Sequence, residues 1–148
     1  MTSSKPRYLL DLNALVALAD PDHKHHGAIQ KWFMRSGKAN WGVCPLTEAG
    51  FVRVTTNPAF NGATRTVAQA AAILADFARH PGYHYWAISA PWTKLTAGFS
   101  TRVLGHQQVT DSYLLGLAVK EDGVLVTFDK GIRYLAGTRY NGNLLVLD

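Results

Sequence analysis

Asp11, Glu48, Asp111 and Asp129 stand where a chain usually avoids charge. Asp11 interrupts an apolar run that continues from Tyr8-Leu9-Leu10 into Leu12-Asn13-Ala14-Leu15. Glu48 follows Pro45-Leu46-Thr47, Asp111 precedes Ser112-Tyr113-Leu114-Leu115, and Asp129 comes directly after Val124-Leu125-Val126-Thr127-Phe128. Singly, each has a plain structural explanation. Asp11 can cap a helix, Glu48 and Asp111 can complement helix N-termini at about 0.3–1 kcal/mol each, and Asp129 before Lys130-Gly131 suits a turn. Jointly they ask for more, because only ten acidic residues face fifteen Lys and Arg. Four carboxylates in one crevice cannot all stay ionised without a cation among them. Oxygen ligands of this kind suit Mg²⁺ or Mn²⁺, with waters and a substrate phosphate completing an octahedron.

A parallel sheet would gather them. Residues 8–11 read as a short buried strand, and 12–18 as a helix leaving its end. Asp20-Pro21-Asp22 breaks that helix, and a second opens near Asp22 with Ile29, Trp32, Phe33 and Met34 on one face, ending at Ser36-Gly37. Residues 39–44 form a second strand closed by Pro45. The next helix starts at 45–47 and is stopped by Asn57-Pro58. Asn61-Gly62 is a turn, and Thr64 or Thr66 caps a helix whose core face is Val67, Ala70, Ile73, Leu74 and Phe77. Residues 83–88 alternate like a strand, and 91–105 form a helical connection. A helix over 112–120, opened by Val109-Thr110-Asp111, leads to the strand 124–128, a short helix over 132–136 and a final strand over 143–147. Strands alternating with helices imply an α/β fold with a central, mainly parallel five-stranded sheet covered on both faces. Strand ends and the starts of the following helices share one edge of such a sheet, so all four acids can reach one crevice.

The totals set limits. A chain of 148 residues with 47% hydrophobic and 17% charged residues reads as one globular domain over residues 1–148. Cys44 is the sole cysteine, which excludes an internal disulfide and points to a reducing compartment, the cytoplasm. The short polar N-terminus and the charge at Asp11 fit neither a signal peptide nor a membrane span. A formal charge of +5 favours polyanionic partners such as nucleic acid.

In order along the chain, Leu9-Leu10-Asp11-Leu12-Asn13, Pro45-Leu46-Thr47-Glu48, Val109-Thr110-Asp111-Ser112-Tyr113-Leu114-Leu115 and Val126-Thr127-Phe128-Asp129-Lys130-Gly131 resemble a PIN domain. More closely, they resemble the VapC ribonuclease toxins of prokaryotic toxin–antitoxin pairs. The departure is Ser112, where related sequences often carry Ala. The resemblance implies a three-layer fold and a Mg²⁺-dependent endoribonuclease that cuts RNA, transfer or ribosomal, by metal-activated water and leaves a 5′-phosphate. In that reading Asp11 and Asp111 are primary metal ligands, Glu48 and Asp129 complete the site, and Asn13 and Thr127 orient it. It also implies a homodimer and a VapB-type antitoxin whose C-terminal tail sets a basic side chain among the acids. Such chemistry requires neither a histidine base nor a covalent nucleophile.

Other residues are weighed against plainer roles. Lys130 and Arg133, three apart on a helix, can share a face at the crevice rim and meet RNA phosphates. Arg53, five residues beyond Glu48 on the same helix, is expected to project from the groove wall rather than into the site. His23, His25 and His26 lack the partners a zinc site needs and read as a solvated helix start. His106 lies close to Asp111 in sequence. Trp32, Trp41 and Trp86 fit the core, Trp92 is open to either role, and Phe51 and Val52 suit packing or a partner interface. A haloacid dehalogenase-type phosphohydrolase would need a second Asp where Asn13 stands. The remaining alternatives are a non-cleaving RNA- or protein-binding module and an RNA-maturation nuclease outside a toxin–antitoxin system.

Overall fold

A computed structural model describes residues 6–60 and 64–148. The turn expected at Asn61-Gly62 lies outside them. The chain runs β1 (Tyr8–Leu10), α1 (Leu12–Ala19), α2 (His26–Arg35), β2 (Trp41–Gly42), α3 (Pro45–Thr55), α4 (Val67–Ala78), α5 (Trp92–Leu95), α6 (Val109–Lys120), β3 (Val124–Thr127), α7 (Ile132–Ala136) and β4 (Leu144–Val146). The four strands pair in the order β2-β1-β3-β4, all parallel.

Period-two alternation assigns each strand residue to a layer. Leu10 and Val126 join one core with Leu15, Ile29, Trp41 and Phe51. Their neighbours Leu9 and Leu125 join the other with Leu114, Leu117, Ile132 and Leu135. The sheet is thus sandwiched between α1–α4 and α5–α7. Parallel strands buried on both faces read as unbroken apolar runs, which is why β1 and β3 stand out in the sequence. Among the described residues, no helix is long and apolar enough to cross a membrane.

The fifth strand is a departure. Residues 83–88 lie beside β2 but pair through a single bridge, Trp41 to Tyr83. The His84 and Trp86 amides donate to the Trp41 and Val43 carbonyls at 2.7 and 3.0 Å. Pairing stops there because β2 has two residues rather than the six expected. A 3₁₀ turn over Gly37–Ala39 precedes it, and Pro45 opens α3 two residues after Val43. The approach is close enough that a Cβ at Gly42 would meet the His84 carbonyl oxygen at 1.8 Å.

Two expected core residues lie outside. Met34 and Val67 are 55% and 63% exposed. Ile29, Trp32 and Phe33 already fill the inner face of α2, and Met34 falls past it. Val67 is the first residue of α4, directly after the Thr66 cap, whose capping box with Gln69 turns the chain before the buried face begins at Ala70. Phe51 is fully buried, so packing accounts for it.

Candidate active site

The carboxyl edge of the sheet carries three aspartates. Asp11 follows β1 and caps α1, its Oδ1 accepting the Leu12 amide at 2.7 Å. Asp129 sits two residues past β3, its Oδ1 accepting the Gly131 amide at 2.8 Å. The plain capping and turn roles are therefore real, and each occupies one carboxylate oxygen. Asp111 lies in the first turn of α6. That helix returns the chain to the amino end of β3, so its own N-terminus lies at the carboxyl edge.

Thr127 ties this edge together. Its buried hydroxyl donates to Asp11 Oδ2 at 2.7 Å and accepts the Asp129 amide at 3.1 Å. Asn13 braces it, with Nδ2 donating to Thr127 Oγ1 at 3.3 Å and Oδ1 accepting the Phe128 amide at 3.2 Å. One hydroxyl thus sets the spacing between the first and last aspartates. Thr127→Val should keep the shape but leave these groups unpaired, lowering the activity of this site about tenfold, as loss of a hydrogen-bonding partner behind a site's ligands does. Equal initial rates for variant and wild type would refute that role.

The electrostatics bring the three together. Asp111 is pushed up to about 7, first by burial and then by the charges of Asp11 and Asp129. Asp11 is also raised, chiefly by burial, while its bonds from Thr127 and Leu12 pull it back and Asp129 pushes it further up. Glu48 stands apart from this mutual repulsion. Burial raises its carboxyl, and its own charge is felt by Tyr83 and Tyr85. The helix that carries it is tied to this edge, since the adjacent Thr47 hydroxyl donates to the Leu10 carbonyl at 3.3 Å.

Among the described residues no three His, Cys, Asp or Glu side chains close into a metal cage. The donor set nevertheless fits a hard divalent cation. The aspartates sense one another without converging on a point, and all offer oxygen. Mg²⁺ retains several waters and takes only one or two carboxylates directly.

The flanking residues separate. Lys130 approaches the exposed Asp148 carboxylate at 3.8 Å, and Arg133 lines a cleft between α7 and β4. The histidines take other partners. His23 Nδ1 accepts the His25 amide, His25 stacks on Phe128 with ring centroids 4.4 Å apart, and His26 Nδ1 bonds the Ala17 carbonyl oxygen. Trp92 is half-buried and donates to the Val109 carbonyl at 3.3 Å, while His106 is exposed. Tyr83 and Tyr85, beside Glu48, are the neighbours that sequence reasoning missed. Only the pairing register with β2 places them there.

The model of the PIN domain family matches residues 8–137. Among curated relatives, Ribonuclease VapC38 of Mycobacterium tuberculosis is 42% identical over 131 residues, covering 88% of this chain and 91% of its own. Ribonuclease VapC39 of the same organism is 40% identical over 124 residues, covering 84% and 89%. Solved structures share the fold at low identity. VapBC2 from Rickettsia felis, bound to a DNA fragment from their promoter, superposes with a TM-score of 0.65 at 17% identity, covering 95% of this chain and 98% of that one. Mycobacterium tuberculosis VapC20, described as a sarcin–ricin loop cleaving toxin, gives 0.62 at 11%, covering 87% and 93%. The chain belongs to the PIN-domain family and, within it, to the ribonucleases named VapC.

Proposed function

We propose that this chain is a divalent-metal-dependent endoribonuclease, the toxin of a VapBC-type pair, acting in the cytoplasm with Mg²⁺ as its ion and Mn²⁺ as a substitute. The observation that carries this is the aspartate trio, in which Asp111 is pushed up to about 7 by burial and by two neighbouring carboxylates. Such repulsion disfavours the site unless a cation offsets it. The relatives' ribonuclease names support RNA as the substrate, and the VapBC structures support an antitoxin partner; a transfer or ribosomal RNA target and a homodimer belong to the same proposal.

The cation, when bound, would supply an activated water and neutralise charge on the phosphate. Asp11 and Asp111 would hold it, with Asp129 and Glu48 alongside. The chain's own contribution is to aim these oxygens and, at Asp11, to offset part of the effect of burial. The Leu12 amide and the Thr127 hydroxyl favour the charged form of Asp11. The Thr127 link to the Asp129 amide fixes the third carboxylate against the first. An antitoxin side chain of positive charge would satisfy the same aspartates and so compete with the ion.

Purified protein incubated with mixed cellular RNA should cleave it with Mg²⁺ or Mn²⁺, stop with chelator and resume when the ion is restored. Adding saturating antitoxin should suppress cleavage. RNA that is bound but left uncut under either ion would instead identify a non-cleaving binding module.

A further inference from the structure

The segment after α4 has no part in the chemistry above, yet it carries an exposed aromatic ring on the side of α3. The amides of His84 and Trp86 pair with Trp41 and Val43, so the backbone of Tyr85 runs along the outer edge of the sheet beside the β2–α3 turn. Side chains alternate along this segment. Trp86 is buried in the core that holds Leu9 and Leu125. Tyr83 turns the other way and packs edge-on against Trp41 with centroids 5.2 Å apart. Tyr85, two residues on, therefore projects on the side of α3, whose first turn carries Glu48. Burial first, and then the Glu48 charge, raises both phenols, in keeping with that side of the sheet. Tyr83 is half-buried, whereas Tyr85 is 51% exposed.

An exposed aromatic ring is common on protein surfaces and alone signifies little. Position gives this one meaning. The carboxylates repel the phosphates of any strand that enters, so attraction at this edge has to come from groups without negative charge. A neutral aromatic face supplies it by stacking on an unpaired base.

We propose that Tyr85 stacks on a nucleobase of single-stranded RNA next to the scissile phosphate, forming a base subsite on the Glu48 side of the active site. This rests on the ribonuclease reading above. A Tyr at this position should favour unpaired substrates, because a base inside a duplex presents no free face.

The test measures fluorescence anisotropy of a labelled single-stranded RNA oligonucleotide in chelator, beside steady-state cleavage with Mg²⁺. Tyr85→Ala should weaken binding about tenfold and raise KM similarly with kcat little changed, the range seen when a stacking ring is removed. Tyr85→Phe should stay within about twofold, since the ring and not the hydroxyl does the stacking. The dependence of affinity on salt should keep its slope in both variants, because no cationic contact is lost. Equal binding by Tyr85→Ala and wild type overturns the proposal, and so does an equal loss in Tyr85→Phe. Intact RNA affinity with weakened binding of the co-expressed antitoxin would assign the ring to the protein partner instead. Wild-type protein that neither binds nor cuts RNA would bring down the ribonuclease reading itself, whatever the variants do.

Discussion

Asp111→Asn should abolish RNA cleavage and yet make the metal-free protein more stable. The loss of activity follows from removing one of the carboxylates proposed to hold the cation. Electrostatic stabilisation by a catalytic ion is worth several kcal/mol in the transition state, so the rate should fall roughly a thousandfold. The gain in stability has the opposite sign because the same carboxylate is held where it is unfavourable. Folding raises Asp111 from its ordinary 3.8 to about 7, so the unfolded chain gives up this proton first. Between those limits the unfolded state binds fewer protons, and stability falls as pH rises. The penalty is absent below about pH 4 and complete above about pH 7. An unscreened shift of this size would correspond to about 4 kcal/mol. Asp111 is only half-buried, and solvent reduces the effect to about 1–2 kcal/mol.

Thermal melts in chelator at pH 5 and pH 8 separate the two effects. The variant should exceed wild type by several degrees at pH 8 and by much less at pH 5. Added Mg²⁺ should raise the wild-type melting temperature, since only the native state offers the assembled carboxylates, and should do little for the variant. A variant no more stable than wild type at pH 8 would remove the repulsion on which the proposed site rests.

Much of this site is legible in the sequence because its residues break strong local rules. A carboxylate between Leu10 and Leu12, and another directly after the Val-Leu-Val-Thr-Phe run, mark the ends of buried parallel strands by pattern alone. The bounds of α7 also follow from the sequence, as Gly131 and Gly137 flank it. What stays hidden depends on pairing between distant segments. Strand 39–44 shrinks to two residues because the 3₁₀ turn and Pro45 claim its ends, and residues 83–88 then have too short a partner to form a ladder. The placement of Tyr83 and Tyr85 about Glu48 follows from that register, which no local pattern encodes. Helical spacing offers Lys130 as a phosphate contact, but spacing says nothing of a partner eighteen residues on, the Asp148 carboxylate. His25 against Phe128 is a similar tertiary pairing.

Trp41→Ala should cost the most stability among the core substitutions near the site, because that indole is where β2, the Tyr83 segment and two helices meet. It is fully buried, and its ring meets Phe33 of α2 at 5.1 Å, Phe77 of α4 at 5.6 Å and Tyr83 at 5.2 Å, each nearly perpendicular. Its indole N–H also points to His80 Nδ1 at 3.4 Å. Truncation removes the transfer energy of the ring and leaves a cavity that three aromatic neighbours from separate elements cannot collapse to fill. Such changes cost about 3–5 kcal/mol, against a total of roughly 5–15 kcal/mol for a native protein. The melting temperature should drop by about 10 °C or more for a chain of this length. Trp41→Phe keeps one ring in place and should recover more than half of that loss. Because the backbone at Trp41 also holds Tyr83 and His84, the Ala variant should loosen the edge that carries Tyr85. Hydrogen exchange would report this as faster exchange at the His84 and Trp86 amides in Trp41→Ala than in Trp41→Phe, while the Asp11 amide, bonded to the Val126 carbonyl inside the sheet, stays protected. Unaltered exchange at His84 and Trp86 would mean that this edge is held from elsewhere and that Trp41 only fills space.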